Sequence, residues 1–202
     1  MSARETILRR LEGRSPDLAQ QARALLHDPE RPAIEGADRV AAFAARLAAP
    51  SVSASFEQIG SMEALPAAVA RYIGGQAPAP SLYLPPDPAL ASLDWSGVAR
   101  DAECPSDDGA ALAIATAAVA ETGSLVMDTG PAAPMLPNFL ALHHLVVVHR
   151  ETLVDYLEDV PPPVAWPRAR YWITGVSGTT DIEGQYVRGA HGPRFLHVFL
   201  VG

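Results

Sequence analysis

The sequence predicts an α/β fold: a three-layer sandwich on a mostly parallel sheet over residues 35–202, preceded by an N-terminal helical arm over residues 1–34. Two observations carry this. Short apolar runs that read as strands alternate with amphipathic stretches that read as helices, which is the rhythm of crossover units. The run His144-Leu-Val-Val-Val148 is continuously apolar and rich in β-branched residues, which suits a strand covered on both faces. At 202 residues, 49% of them hydrophobic and 19% charged, the chain has the length of one such domain plus an appended segment and can bury a sizeable core.

Residues 2–12 read as a short helix, with Ile7, Leu8 and Leu11 at helical spacing. A second apolar set, Leu18, Ala22, Leu25 and Leu26, ends at Asp28-Pro29, so this front part reads as an arm or helical hairpin. Over residues 35–48, Val40, Phe43, Ala44 and Leu47 fall on one helical stripe closed by Pro50. Residues 51–56 alternate like a strand, residues 62–73 are helical up to Gly74-Gly75, and residues 81–84 form a short apolar strand between prolines. The Ala-rich stretch 110–121 reads as a helix stopped by Gly123, followed by a strand over 124–127. Residues 151–158 and 180–187 read as helices, and residues 171–174 and 195–201 as strands.

Composition removes whole chemistries. All 15 basic residues are arginine, so the chain offers no lysine for a Schiff base, a pyridoxal-phosphate anchor or a P-loop. The single cysteine, Cys104, excludes an internal disulfide, a CxxC pair and a self-contained iron–sulfur cluster. A net charge of −8 with scattered arginines speaks against nucleic acid as a partner. The longest apolar stretch, residues 110–120, is too short for a bilayer that needs about 20 residues, and the polar opening decapeptide lacks the apolar core of a secretion signal. The expectation is a cytosolic protein without a membrane span. No HxxxH or HExxH spacing exists among the six histidines, and neither a metal nor a bound cofactor is expected. On a strand, the adjacent His143 and His144 point to opposite faces, while His197 alternates with Leu196 and Val198 as a surface or core residue.

Two segments are candidates for chemistry. Residues 173–184 run from a strand through a Gly/Ser/Thr turn into the predicted helix. That turn directs the backbone N–H groups and hydroxyls of Ser177, Gly178 and Thr179 into a crevice at the carboxyl edge of the sheet. Asp181 and Glu183 add carboxylates there, although Thr180 to Glu183 equally fits a capping box in which Glu183 only closes the helix start. Downstream, His191 in Gly189-Ala-His-Gly-Pro193 is held in a rigid turn, either as an acid or base or as a turn residue bonded to backbone. A Ser177–His191–Asp181 triad can be written, but Asp181, four residues from Ser177, is better placed to cap the helix than to orient a histidine. The second candidate is Glu121-Thr122-Gly123-Ser124: Glu121 is a possible general base and Thr122, Gly123 and Ser124 line a turn, unless Glu121 is merely solvated and Gly123 only ends a helix.

At these residues the chain resembles the LUD-domain family, also called DUF162, in its lactate utilization protein C branch. The resemblance rests on Ala120-Glu-Thr-Gly-Ser-Leu125, on Asn138-Phe-Leu140 with His144-Leu-Val-Val-Val148, and on the block from Gly175 to Glu183 followed by Gly189-x-His-Gly-Pro193. It implies a fold similar to the ribose-phosphate isomerase and CoA-transferase-like superfamily. It also implies a part in oxidising L-lactate to pyruvate beside partner subunits that carry the iron–sulfur clusters, with this chain as the cluster-free component and a small carboxylate as ligand. The superfamily suggests as an alternative a stand-alone enzyme or binding protein for a phosphorylated or CoA-linked metabolite. On this reading Glu121, Asp181 and His191 are catalytic, and Thr122, Gly123, Ser124, Ser177, Gly178, Thr179 and Glu183 bind the ligand. Glu121, Ser177, Asp181 and His191 are expected to share one pocket. The chain departs from the family where Val176, Gly178 and Thr180 replace Pro, Arg and Ala, which removes a bidentate anion donor from the turn; Arg188 and Arg194 are its possible substitutes.

Overall fold

The computed structural model of the protein describes residues 4–5, 18–27, 31, 34, 38–180 and 186–202. The chain divides into two units, residues 1–33 and residues 34–202. In the first, Leu18–His27 forms helix α1, with Leu18 and Leu25 exposed. Arg4 and Glu5 are helical, and the rest of the predicted 2–12 helix and the Asp28-Pro29 stop lie outside the described residues.

The second unit opens with α2 (Arg39–Ala48), capped by the Asp38 carboxylate, which accepts the Val40 N–H at 3.0 Å. Its buried stripe is Val40, Phe43 and Leu47. After β1 (Ser55–Ile59) comes α3 (Leu65–Gly74), then β2 (Leu82–Tyr83), the short α4 (Pro88–Ala91) and β3 (Arg100–Asp101). Strands β4 (Ala110–Ile114), β5 (Ala117–Val119) and β6 (Ser124–Asp128) follow. Then come α5 (Pro137–Leu140), β7 (His143–His149), β8 (Leu153–Val154) and β9 (Arg170–Ile173). The hairpin β10 (Gly178–Thr180) and β11 (Tyr186–Arg188) precedes β12 (Phe195–Val201).

Six strands make a wholly parallel sheet in the order β1-β12-β7-β4-β2-β3. Alternate residues of its central strands feed two cores. Leu112, Leu145, Val147, Phe199 and Val201 pack with Leu65, Val69 and Ile73 of α3 and Leu90 of α4. Ala113, Val146, Val148, Val198 and Leu200 pack with α2 and with Leu125, Met127 and Leu153 of a second sheet, β8-β5-β6-β9. Burial on both faces explains the unbroken apolar runs of β7 and β12. The predicted three-layer α/β architecture with a mostly parallel sheet is therefore present, but one flank is largely a sheet where helices on both sides were expected.

Four local expectations are corrected. The stretch 110–121 is not a helix. It forms β4 and β5, because Ala110 to Leu112 lie between β2 and β7 with no surface left exposed, and that environment overrides the helix preference of alanine. Of the helix expected over 180–187, the described ends are strands instead: Thr180 pairs with Tyr186 and Thr179 with Val187 across an antiparallel hairpin, so Thr180 is a strand residue and no N-cap, while residues 181–185 lie outside the described residues. Residues 151–158 hold two single 3₁₀ turns around β8, which pairs with β5. The strand expected over 51–56 begins only at Ser55, after a tight turn in which Ser53 adopts a φ of 56°.

Three histidines occupy the amino ends of β7 and β12. His144 faces the α2 side, while the Nδ1 of His143 lies 2.9 Å from the Tyr72 hydroxyl and that of His197 lies 2.6 Å from Ser55 Oγ on the strand ends beside α3. Desolvation lowers the pKa of all three, that of His197 to about 4 and that of His144 to about 3. The folded imidazoles thus stay neutral while the unfolded chain takes up protons below its ordinary pKa of about 6.5. Stability is therefore expected to fall as pH drops from about 6.5 toward the folded values. Replacing His144 by Leu should flatten the slope of unfolding free energy between pH 6 and 4.5 by about 1.4 kcal/mol per pH unit, read by urea titration. Independently, Ala111→Leu should cost about 1–3 kcal/mol in the same assay because a buried central strand has no room for it; a change under about 0.5 kcal/mol would contradict that burial.

Candidate functional site

The turn after β9 is built by close backbone approach. Gly175 has a φ of +92°, and a Cβ there would lie 2.6 Å from the Val52 carbonyl oxygen, so glycine is required on both counts. The next N–H, of Val176, donates to that same Val52 carbonyl at 3.0 Å. Ser177 N–H then donates to Pro193 O at 2.9 Å, and Ser177 O accepts from Gly189 N–H at 2.8 Å. These two bonds tie the 175–177 turn to the Gly189–Pro193 turn. Gly192 is pressed against Ser177, since a Cβ on it would lie 3.2 Å from the serine Cβ.

Between these turns and α5 lies a cleft of about 280 Å³. Its polar lining consists of Asn138, His144, Thr174, Ser177 and His191, and its apolar lining includes Phe139, Trp172 and Leu196. His144 and Leu196 are paired in register as the second residues of β7 and β12. The cleft therefore opens at the amino edge of the parallel sheet. The expected crevice at the carboxyl edge is corrected, because the strand entering the turn, β9, belongs to the second sheet and runs antiparallel to β6.

The floor is neutral. His144 is 1% exposed and its Nε2 finds no hydrogen-bond partner among the described residues, so it remains an uncharged imidazole. Asn138 is buried and donates from Nδ2 to the Tyr171 hydroxyl at 2.7 Å, and burial raises the Tyr171 pKa. Among the described residues that line the cleft there is no Asp, Glu or Arg. In the Gly189–Pro193 turn, the N–H groups of His191 and Gly192 make no backbone hydrogen bond to a described residue. Nor do three His, Cys, Asp or Glu side chains gather as a metal site among the described residues.

Of the residues singled out from sequence, Ser177 and His191 line this one cleft, with no hydrogen bond between them among the described residues. Gly178 and Thr179 lie in β10, one and two residues beyond. Asp181 and Glu183 lie outside the described residues. Glu121 is elsewhere: its Oε1 accepts the Leu157 N–H at 3.0 Å and it does not line the cleft. Gly123, at a φ of +73°, closes the β5–β6 hairpin against Arg46 and ends no helix. Ser124 is buried beside Thr122, and its Oγ lies 2.6 Å from Oγ1 of Thr174, a residue that lines the cleft. Neither possible arginine substitute lines the cleft: Arg188 donates to Ser53 Oγ at 2.7 Å, and the Arg194 guanidinium sits over the Phe195 ring. Sequence reasoning missed Asn138, His144, Trp172 and Thr174 as site residues. The available signals were the adjacency of His143 and His144 at a strand start and the place of Asn138 and His144 in the block that carries the family resemblance.

Comparison with known proteins meets the same region. The LUD domain family model matches residues 109–201, which include every residue lining the cleft. Lactate utilization protein C of Deinococcus radiodurans is 35% identical over 94 residues, an alignment that covers 42% of this chain and 42% of that protein. The chain thus matches less than half of that relative's length. The crystal structure of a DUF162 family protein from Deinococcus radiodurans superposes with a TM-score of 0.54 at 20% identity, covering 81% of this chain and 96% of that one, which is a likeness of fold. Over residues 109–201, the chain is thus similar to the LUD domain family.

Proposed function

We propose that the protein serves L-lactate utilization as a cluster-free subunit, working with partner subunits that carry iron–sulfur clusters, and that its cleft receives a small carboxylate. One observation carries this reading: the whole cleft lies within the stretch matched by the LUD model, and a Deinococcus radiodurans protein 35% identical over 94 residues bears the name lactate utilization protein C. Size and charge agree with it. A cleft of about 280 Å³ lies at the lower edge of ligand-pocket volumes and suits a molecule of a few carbons. With Cys104 as the sole cysteine, any iron–sulfur cluster has to come from a partner chain. A phosphorylated or CoA-linked ligand finds less support, because its phosphates call for guanidinium or ammonium groups that the described lining lacks.

His191 is exposed at the cleft, and we assign it the role of ligand contact and proton carrier. Deleting the gene should abolish growth on L-lactate as sole carbon source, and the tagged protein should co-purify with iron–sulfur oxidoreductase subunits. His191→Ala should impair that growth at least tenfold in rate while moving the thermal midpoint by no more than about 2 °C, as for an exposed side chain. Normal growth of the deletion strain would overturn the reading.

A further inference from the structure

A carboxylate in this cleft meets no arginine among the described lining residues, so neutral hydrogen-bond donors have to share in stabilising its charge beside His191. Three hydroxyls stand in line behind the wall. Thr174 lines the cleft, and its Oγ1 lies 2.6 Å from Ser124 Oγ, which lies 2.7 Å from Thr122 Oγ1. Ser124 is 3% exposed, and among the described residues its hydroxyl has those two oxygens as partners. The tight hairpin turn at Gly123 brings the side chains of Thr122 and Ser124 to the same side.

Each hydroxyl carries one proton, so the chain runs in one direction or the other as a unit. With protons pointing inward, Thr174 presents lone pairs to the cleft; with protons pointing outward, it presents an O–H. A carboxylate only accepts. We infer that an anion in the cleft selects the outward arrangement, making Thr174 the oxyanion-binding hydroxyl and Ser124 the positioning residue that aligns it, with Thr122 completing the chain. This rests on the reading of the cleft as a carboxylate site. Aligned hydroxyl dipoles reinforce one another, and shielding from water strengthens them further. The chain also gives the Glu-Thr-Gly-Ser motif a role that Glu121, engaged with Leu157, does not fill.

The test is calorimetric titration of L-lactate into the full chain and into Thr174→Val, Thr174→Ser, Ser124→Ala and Thr174→Val/Ser124→Ala, each checked for folding by its thermal midpoint. Thr174→Val should weaken binding at least tenfold, whereas Thr174→Ser, which keeps the hydroxyl, should stay within about threefold of the parent. Ser124→Ala should weaken it severalfold alone and not at all in the Thr174→Val background, because its effect passes through Thr174. Should Ser124→Ala fail to fold, the Thr174 pair decides. Unchanged affinity in Thr174→Val, or an additive double variant, would overturn the inference while leaving the carboxylate site intact. Failure of the parent protein to bind L-lactate would instead overturn the carboxylate reading, and this inference with it.

Discussion

The domain depends on burial of one parallel sheet on both faces. Strand β12 lies between β1 and β7, and β1 touches the sheet only through β12. Residues 55–59 are therefore secured by residues 195–201, far along the chain, and the same strand supplies residues to both cores. In the sheet's central strands β7 and β12, the buried polar residues are histidines at the strand starts whose pKa burial lowers.

The cleft follows from the same constraint. At the amino edge, the starts of β7 and β12 are flanked by turns that the packed sheets fix against one another: Val176 to Val52, Ser177 to Pro193 and Gly189 to Ser177. The wall is rigid because its hydrogen bonds are backbone bonds and its glycines admit no side chain. Its chemistry is that of hydroxyls, amides and imidazoles, since a formal charge on the floor would have to be paid for by desolvation beside the apolar core.

Sequence patterning was informative where burial leaves a periodic trace. The stripe Val40, Phe43 and Leu47, the helix ending at Gly74 and the runs in β7 and β12 all have a physical reason to appear in one dimension. The Ala-rich segment did not, because alanine has no branching to mark a strand and the largest intrinsic helix preference; only its neighbours β2 and β7 decide its state. The segment after Gly178 misled for a similar reason: Thr-x-x-Glu satisfies a cap pattern, yet Thr180 pairs with Tyr186. Within the site, Ser177 and His191 were legible because each lies in a compact Gly-rich motif. Thr174, Asn138 and His144 were not, since their meeting depends on how the second sheet packs over the first. The link from Ser124 to Thr174 spans fifty positions and has no local signature.

One junction between the sheets carries a further meaning. Ala115 N–H donates to Val147 O in the parallel sheet, and the next N–H, of Thr116, donates to Val126 O in the other. Adjacent residues are thus stitched into different layers by a single peptide, with the Thr116 hydroxyl adding a second bond to Val126 O at 3.1 Å. A local opening of either layer reaches the other across that one link, so the layers do not act as separable folding units. The walls of the cleft, contributed by both layers, are accordingly coupled through that junction.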